Sequence, residues 1–235
     1  MTKEFRDQII PALDTQSEEE LNFLLAELSE TAPMVKVGME LYYTFGHSII
    51  EKLKDKGFKI FLDLKLHDIP TTVYKSTKTL STLGVDILNV HAAGGVEMMR
   101  AALDGFREHN TSGLLIGVTQ LTSTSQKTLN EEIFIPGTTK EAVLNYAYNV
   151  KKAGLDGVVC SAHEVSFLKL NLGQDFKCIT PGIRPKGAPS NDQKRVMTPK
   201  EAIQEGSDYL VIGRAITQSK SPRESFNKII KELQL

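Results

Sequence analysis

Phe61-Leu62-Asp63-Leu64-Lys65-Leu66-His67-Asp68-Ile69-Pro70 joins an apolar strand to a helix, and its reading decides how the chain folds. Successive side chains of a strand point to opposite faces, so Leu62, Leu64 and Leu66 share one face and Phe61, Asp63 and Lys65 the other. Pro70 limits further pairing and puts Asp68 on the loop that leaves the strand. The strand begins at Phe58; a helix from Thr71 to Leu83, closed by Gly84, follows it, and Ile87 to His91 is the next strand. Two apolar strands joined through a helix make a parallel β-α-β unit. Three charges at the end of an apolar strand are costly beside a core, which marks the stretch for chemistry. A structural ion-pair cluster at a sheet edge is the other reading of Asp-x-Lys taken alone.

The same unit recurs in both directions along the chain. Upstream, Ile9 to Leu13 precedes a capping-box pattern, Ser17-Glu18-Glu19-Glu20, and a helix with Leu21, Leu24, Leu25 and Leu28 on one face. Met34 to Gly38 is a second strand, and Ile49, Ile50 and Leu53 mark its helix, stopped by Gly57. Downstream, strands are expected at Leu114–Leu121, Gly157–Cys160, Phe176–Thr180 and Tyr209–Ile212. Helices are expected around Met98–Leu103, over Thr139–Ala153, after the capping box Ser161–Glu164, after Thr198-Pro199 and after Ser221-Pro222. Residues 182–198 have no period and are rich in Pro, Gly and charge; a structureless loop of that length inside a compact domain is a candidate mobile lid.

Eight apolar strands, each followed by a helix, indicate an α/β fold and most simply one closed (β/α)8 TIM barrel domain over 1–235. An open doubly wound sheet is the alternative. No linker, low-complexity tract or repeat at the level of sequence identity is visible.

Composition narrows the function classes. The 235 residues carry 28 basic and 29 acidic side chains, a net charge of -1, with no dense basic run, which argues against a nucleic-acid partner. No stretch approaches 18 apolar residues, and the acidic start has no apolar export segment, so no membrane role is expected. Cys160 and Cys178 lie in short apolar segments without metal-type partners and read as buried, reduced thiols of a cytoplasmic protein.

In a (β/α)8 barrel the carboxyl ends of the strands converge on one mouth, where active sites are built. This sequence puts Asp14, Lys36, Asp63 and Lys65, with Asp68 just beyond, at the ends of the first three strands. Asn89 and His91 end the fourth, Thr119 to Ser123 the fifth, Pro181 to Arg184 the seventh and Gly213-Arg214 the eighth. Independent ion pairs have no reason to gather at one end of so many strands. Gly213-Arg214 reads as a phosphate site, combining glycine-exposed backbone N–H groups with an arginine fork, and Gln193 in the lid is placed to add its amide. His91 reads either as a structural histidine or as a base. No metal-ligand spacing appears, and Lys36 and Lys65 already balance Asp63 and Asp68, so no metal is expected there. Ser123 and Thr122 lack a His and acid partner for nucleophilic catalysis.

The string from Phe61 to Thr72 resembles the signature of the orotidine 5'-phosphate decarboxylase family, in its single-domain bacterial type, whose fold is a barrel of the ribulose-phosphate-binding kind. The resemblance extends through Ala12-Leu13-Asp14, Lys36-Val37-Gly38, Asn89-Val90-His91, Val118 to Ser123, Thr180 to Arg184, Asp192 to Arg195 and Ile212-Gly213-Arg214. It implies decarboxylation of orotidine 5'-monophosphate to uridine 5'-monophosphate, the last step of UMP synthesis, with no cofactor. It also implies a homodimer in which Asp68 and Thr72 reach the partner's site. By the same resemblance, Asp14 and Lys36 hold ribose hydroxyls, Thr122 contacts the pyrimidine and Ile69 lines the pocket. Pro181, Arg184, Gln193, Gly213 and Arg214 surround the phosphate. Lys65, with Asp63, Asp68 and Lys36, carries the chemistry: Lys65 supplies both a positive charge aimed at C6 and the proton delivered there. Two other readings stand beside it: a Mg2+-dependent aldolase or decarboxylase of sugar phosphates on a related barrel, and a non-catalytic phosphometabolite binder.

Overall fold

The structure, a computed structural model, describes residues 2–186 and 196–234. Runs of Ile, Val and Leu form the strands β1 Ile9–Leu13, β2 Met34–Gly38, β3 Lys59–Leu66, β4 Ile87–His91, β5 Leu114–Val118, β6 Gly157–Val159, β7 Lys177–Thr180 and β8 Tyr209–Ile212. Each pairs in parallel with the next, and β8 returns to β1 through Ile10 opposite Val211, so the sheet closes into a barrel rather than ending in two edges. The helices are α1 Thr2–Gln8, α2 Glu18–Leu28, α3 Met39–Phe45, α4 Ser48–Asp55, α5 Pro70–Ser81, α6 Gly95–Arg107, α7 Thr139–Ala153, α8 Val165–Leu172, α9 Pro199–Gln204, α10 Arg214–Thr217 and α11 Pro222–Gln234. Among the described residues no helix is long and apolar enough to cross a membrane.

Four strands match their expected bounds and four differ at the ends. β5 stops at Val118 instead of Leu121, because Thr119 turns its backbone N–H and its hydroxyl onto the carbonyl of Val159. α5 starts at Pro70, which occupies the first helical turn where its missing N–H costs nothing, and ends at Ser81. α1, α3 and α10 carry no strong period of their own and come from packing at the barrel ends. Of the lid segment 182–198, residues 187–195, Gln193 among them, lie outside the described residues.

Strand alternation sorts the core into two layers. Leu62, Leu64, Leu88, Leu115 and Val158 face outward into the layer shared with the helices. Ile10, Ala12, Met34, Phe61, Ile87, Ile116, Ile179 and Val211 fill the interior. Advancing two residues along a strand from this plug keeps the side chain on the same face and moves it toward the mouth. Ala12 leads to Asp14, Met34 to Lys36, Phe61 to Asp63, Ile87 to Asn89, Ile179 to Pro181 and Val211 to Gly213. The polar site thus stands directly on the apolar plug.

The opposite end holds a repeat that identity alone does not reveal. Gly84-Val85-Asp86, Gly154-Leu155-Asp156 and Gly206-Ser207-Asp208 each end a helix with a left-handed glycine, φ +60, +89 and +96, and enter an even-numbered strand. Each Asp grips one residue of the preceding strand twice. Its backbone N–H donates to the carbonyl of Ile60, Leu115 or Cys178 at 2.9 Å, and its carboxylate accepts the N–H of that same residue at 2.8 Å. Three of the four even strands are thus clamped by one Gly-x-Asp device, a structural repeat below the level of sequence identity. Asp156 also holds Arg107 at 2.9 Å. Asp156→Ala leaves the Leu115 N–H and the Nη2 of Arg107 without their acceptor, at a cost of about 1–3 kcal/mol. At this chain length each kcal/mol lowers Tm by roughly 2–4 °C. Thermal melts should record that loss while ligand affinity at the far end stays parental.

Candidate active site

β1, β2, β3 and β4 bring four charged side chains and one carboxamide into a row across the mouth. Lys36 Nζ, only 8% exposed, sits 3.0 Å from Asp14 Oδ1 and 3.5 Å from Asp63 Oδ2. Lys65 Nζ sits 2.7 Å from Asp63 Oδ1, and Asn89 Nδ2 donates to that same oxygen at 2.6 Å. Burial works to raise the Asp63 carboxyl, but Lys36, Lys65 and the hydrogen bonds from Lys65 and Asn89 together outweigh it and hold the group below the ordinary value of 3.8. Asp63 is therefore ionised at neutral pH, and its two ammonium neighbours face an anion.

The backbone at Lys65 is unusual. Its φ of +52 is left-handed, a region that costs a residue other than glycine about 1–3 kcal/mol and persists only where the surroundings enforce it. Alternation predicts a straight strand here, and it holds as far as Leu64. Beyond Leu62 the pairing with β4 shifts, resuming at Leu66 opposite Val90. The bulge turns Lys65 back toward Asp63.

Gly38 admits this arrangement. A Cβ there would lie 2.7 Å from Lys36 Nζ and 2.9 Å from Asp14 Oδ1, so only glycine leaves room for their ion pair. No sequence period marks this need; the signal is that Gly38 follows Lys36 by two and so shares its face.

Two cavities open from the row and share Lys36, Pro181 and Val211. One, of about 260 Å³, has Phe61, Val118 and Val159 as an apolar wall and Asp63, Lys65, Gln120, Thr122 and Ser123 as polar groups. It has the shape and mixed lining to hold a flat, polar-edged ring. The other, of about 540 Å³, is lined by Asp14, Arg184, Gly213 and Arg214, with Glu20 and Glu40 at its side. Arg184 is 8% exposed; its Nη1 donates to the Ile183 carbonyl at 2.9 Å, and its Nε has no partner among the described residues. Burial first, and then the charge of Arg214, push the Arg184 guanidinium below its ordinary value. Two arginines brought together in a pocket, one with an unspent donor, make a site for a multiply charged anion.

Of the remaining expected residues, Asp68 lies on the exposed turn, where its carboxylate accepts the N–H of Ile69 at 2.7 Å. Among the described residues it forms no ion pair, so it does not flank Lys65 of its own chain. Ile69 caps α5 and is 65% exposed, and Thr72 is exposed on the first turn of that helix; neither is among the residues lining the two mouth cavities. His91 accepts the Ala93 N–H, stacks on His67 with ring centres 5.5 Å apart, and meets Tyr146 edge-on. Burial first, then His67 and Lys65, lower its pKa, so it is neutral at pH 7 and its contacts are those of a structural histidine. Gln120, Cys160 and Val159 line the ring cavity although sequence reasoning gave them no role there. Among the described residues no three His, Cys, Asp or Glu side chains converge as a metal site.

Comparison with known proteins gives a consistent match. Residues 7–229 fit the family described as Orotidine 5'-phosphate decarboxylase / HUMPS. A Staphylococcus epidermidis protein named orotidine 5'-phosphate decarboxylase is 52% identical over 95% of this chain and 97% of its own, and a Staphylococcus aureus protein of the same name is 53% identical over the same shares. A solved orotidine 5'-phosphate decarboxylase from Lactobacillus acidophilus superposes with a TM-score of 0.86 at 42% identity, covering 97% of this chain and 100% of that one. An uncharacterised Geobacillus kaustophilus protein superposes with a TM-score of 0.84 at 43% identity, covering 96% and 99%.

The Asp63 environment makes a signed prediction about pH. A carboxyl whose folded value lies below its unfolded value adds stability that is present above the unfolded value and lost as pH falls through the folded one. On acidification below about pH 4 the parent should lose stability relative to Asp63→Asn. Denaturant midpoints of the two proteins measured from pH 7 to pH 3 check this, and a difference independent of pH would refute it.

Proposed function

Because the chain belongs to the orotidine 5'-phosphate decarboxylase / HUMPS family, we propose that its mouth converts orotidine 5'-monophosphate to uridine 5'-monophosphate and CO2, with Lys65 as the proton donor to C6. The observation that carries this reading is the 2.7 Å pair of Asp63 and Lys65 beside the ring cavity, with the arginine pocket on the other side of Lys36. Breaking the bond from C6 to the carboxylate releases CO2 and leaves the electron pair on C6. An ammonium aimed at C6 stabilises that charge as it develops and then quenches it with a proton. Lys65 then returns to its charged form by taking a proton from water.

Asp63 faces the departing carboxylate in this reading. Two like charges ~4 Å apart repel by about 4 kcal/mol at an effective dielectric near 20. Enzymes lower barriers by roughly 8–23 kcal/mol, so repulsion is a minor share and stabilisation by Lys65 takes the larger one. Grip on the remote phosphate by Arg184, Arg214 and Gly213, with Pro181 beside them and with Gln193 assigned the same task by the family resemblance, supplies binding energy for closing the site. The ends of the 182–198 segment meet at the pocket rim, where Arg184 N–H donates to Met197 O at 3.0 Å, and this supports its role as the closing loop. Asp14 and Lys36 take the ribose hydroxyls and Thr122 the pyrimidine. A metal ion or cofactor is not needed in this scheme, since a cation at Asp63 would meet two ammonium groups.

The working unit is a homodimer, with Asp68 and Thr72 completing the partner's site. Three observations support it: Asp68 makes no ion pair among the described residues, Ile69 is 65% exposed, and Tyr43, 71% exposed, flanks an apolar groove with Tyr42, Leu64 and Leu66 on the same side of the barrel. The buried Cys160 and Cys178, which form no disulfide, fit a reducing cytosol.

Absorbance change on adding orotidine monophosphate tests the activity, and it should be the same with EDTA present; a chelator-sensitive rate favours the Mg2+-dependent sugar-phosphate reading instead. Lys65→Ala should cut kcat by on the order of 10⁴-fold while uridine monophosphate still binds. Arg214→Ala should raise KM far more for the phosphorylated substrate than for its nucleoside. Lys65→Ala and Asp68→Ala subunits, each inactive alone, should recover about a quarter of parental activity when mixed, since half the dimers then hold one intact site.

A further inference from the structure

Asn89 has no part in the scheme above, yet it is fully enclosed, at 0% exposure, in contact with the backbone of Lys65 and the side chain of Asp63. Between the pairs Leu62–Leu88 and Leu66–Val90, β3 advances four residues while β4 advances two. Over that interval the register of the ladder is interrupted. The Asn89 side chain spans the interruption. Its Oδ1 accepts the Lys65 backbone N–H at 2.7 Å, and its Nδ2 donates to Asp63 Oδ1 at 2.6 Å. The partners fix the orientation of the amide, because a backbone N–H only donates and an ionised carboxylate only accepts.

We propose that Asn89 is a positioning residue for the decarboxylation, bracing the left-handed Lys65 backbone and the Asp63 carboxylate with one carboxamide. The proposal rests on the reading of Lys65 and Asp63 as the reacting pair. The charged groups around Asp63 are Lys36 from β2 and Lys65 from its own strand, with Asp14 of β1 reached through Lys36. His91 and His67 stack on the far side of the bulge. Asn89 is a neutral partner of Asp63, and it touches both the backbone of one reacting residue and the side chain of the other. An aspartate in its place would still accept from Lys65 but would set a second anion against Asp63. A leucine would fill the volume and make neither bond. A serine is too short to reach both partners.

The test compares the parent with N89L and N89D in steady-state kinetics across pH, in thermal melts, and in a carbon-detected NMR titration of the Asp63 carboxyl in ligand-free protein. N89L should lower kcat by about 10²-fold, the scale of an ångström's misplacement, with KM changed less than about threefold. N89D should move the Asp63 titration upward and carry the acid limb of kcat with it. Parental kcat in folded N89L, a loss confined to KM, or an unmoved Asp63 titration in N89D overturns the proposal. If N89L does not fold, N89S takes its place: a lowered kcat with a parental melting temperature supports the assignment, and parental kcat rejects it. A parent without decarboxylase activity refutes the functional reading separately, and the Asp63 titration then still reports on Asn89.

Discussion

A closed eight-stranded barrel has an interior just wide enough to be filled by its own side chains, and that constraint governs everything above it. Ile10, Met34, Phe61, Ile87, Ile116, Ile179 and Val211 take up that space, so a ligand cannot pass into the barrel and must rest on top of it. The next inward position of each strand is the first that can be polar without being sealed in. Phe61 has both duties, packing in the plug and forming the floor of the ring cavity. Truncating it would loosen the core and deepen the site together.

Placing charge directly on an apolar floor creates an electrostatic problem that the row of side chains solves by alternation of sign. Asp14, Lys36, Asp63 and Lys65 follow one another as minus, plus, minus, plus, so each charge has an opposite neighbour and the buried Lys36 has two. Removing Asp63 leaves Lys65 without its ion-pair partner and takes one of two from Lys36, which in a poorly solvated place is more costly than never having buried the pair. It also separates two tasks. Lys36 is shared between Asp14 and Asp63 and so links the arginine pocket to the ring cavity, while Lys65 is bonded to Asp63 and faces the cavity with its remaining donors.

Much of this was legible in the sequence, and the limits are physical. The strands were readable because parallel strands buried on both faces are continuous apolar runs, and the mouth residues because period two carries a face forward. Asp63 was placed on the correct face by that rule; Lys65 was expected beside it but reaches it through the bulge. The bulge at Lys65 was not readable: alternation assumes a regular ladder, and a left-handed lysine leaves no mark in composition. Asn89 was visible as a strand end, but its bonds depend on how β3 and β4 are registered, which no single strand encodes. The absence of an ion pair between Asp68 and its own Lys65, three residues away in sequence, likewise follows from the direction of the turn. The Gly-x-Asp clamps escaped notice because their spacing is uneven, 70 residues and then 52, and the residues around the shared Gly and Asp differ.

Those clamps leave one quarter of the barrel without a counterpart. At the entry to β2 the chain reads Thr31-Ala32-Pro33, and the job passes to Arg6 of α1, whose guanidinium reaches the Thr31 carbonyl and Asn227 of α11, both at 2.9 Å. The three clamped quarters are each held by a residue 26 to 41 positions away, whereas the first is held through a residue 221 positions after Arg6. The opening strand pair, which bears Asp14 and Lys36, is thus fastened at its base through α1 and α11 instead of by a clamp of its own.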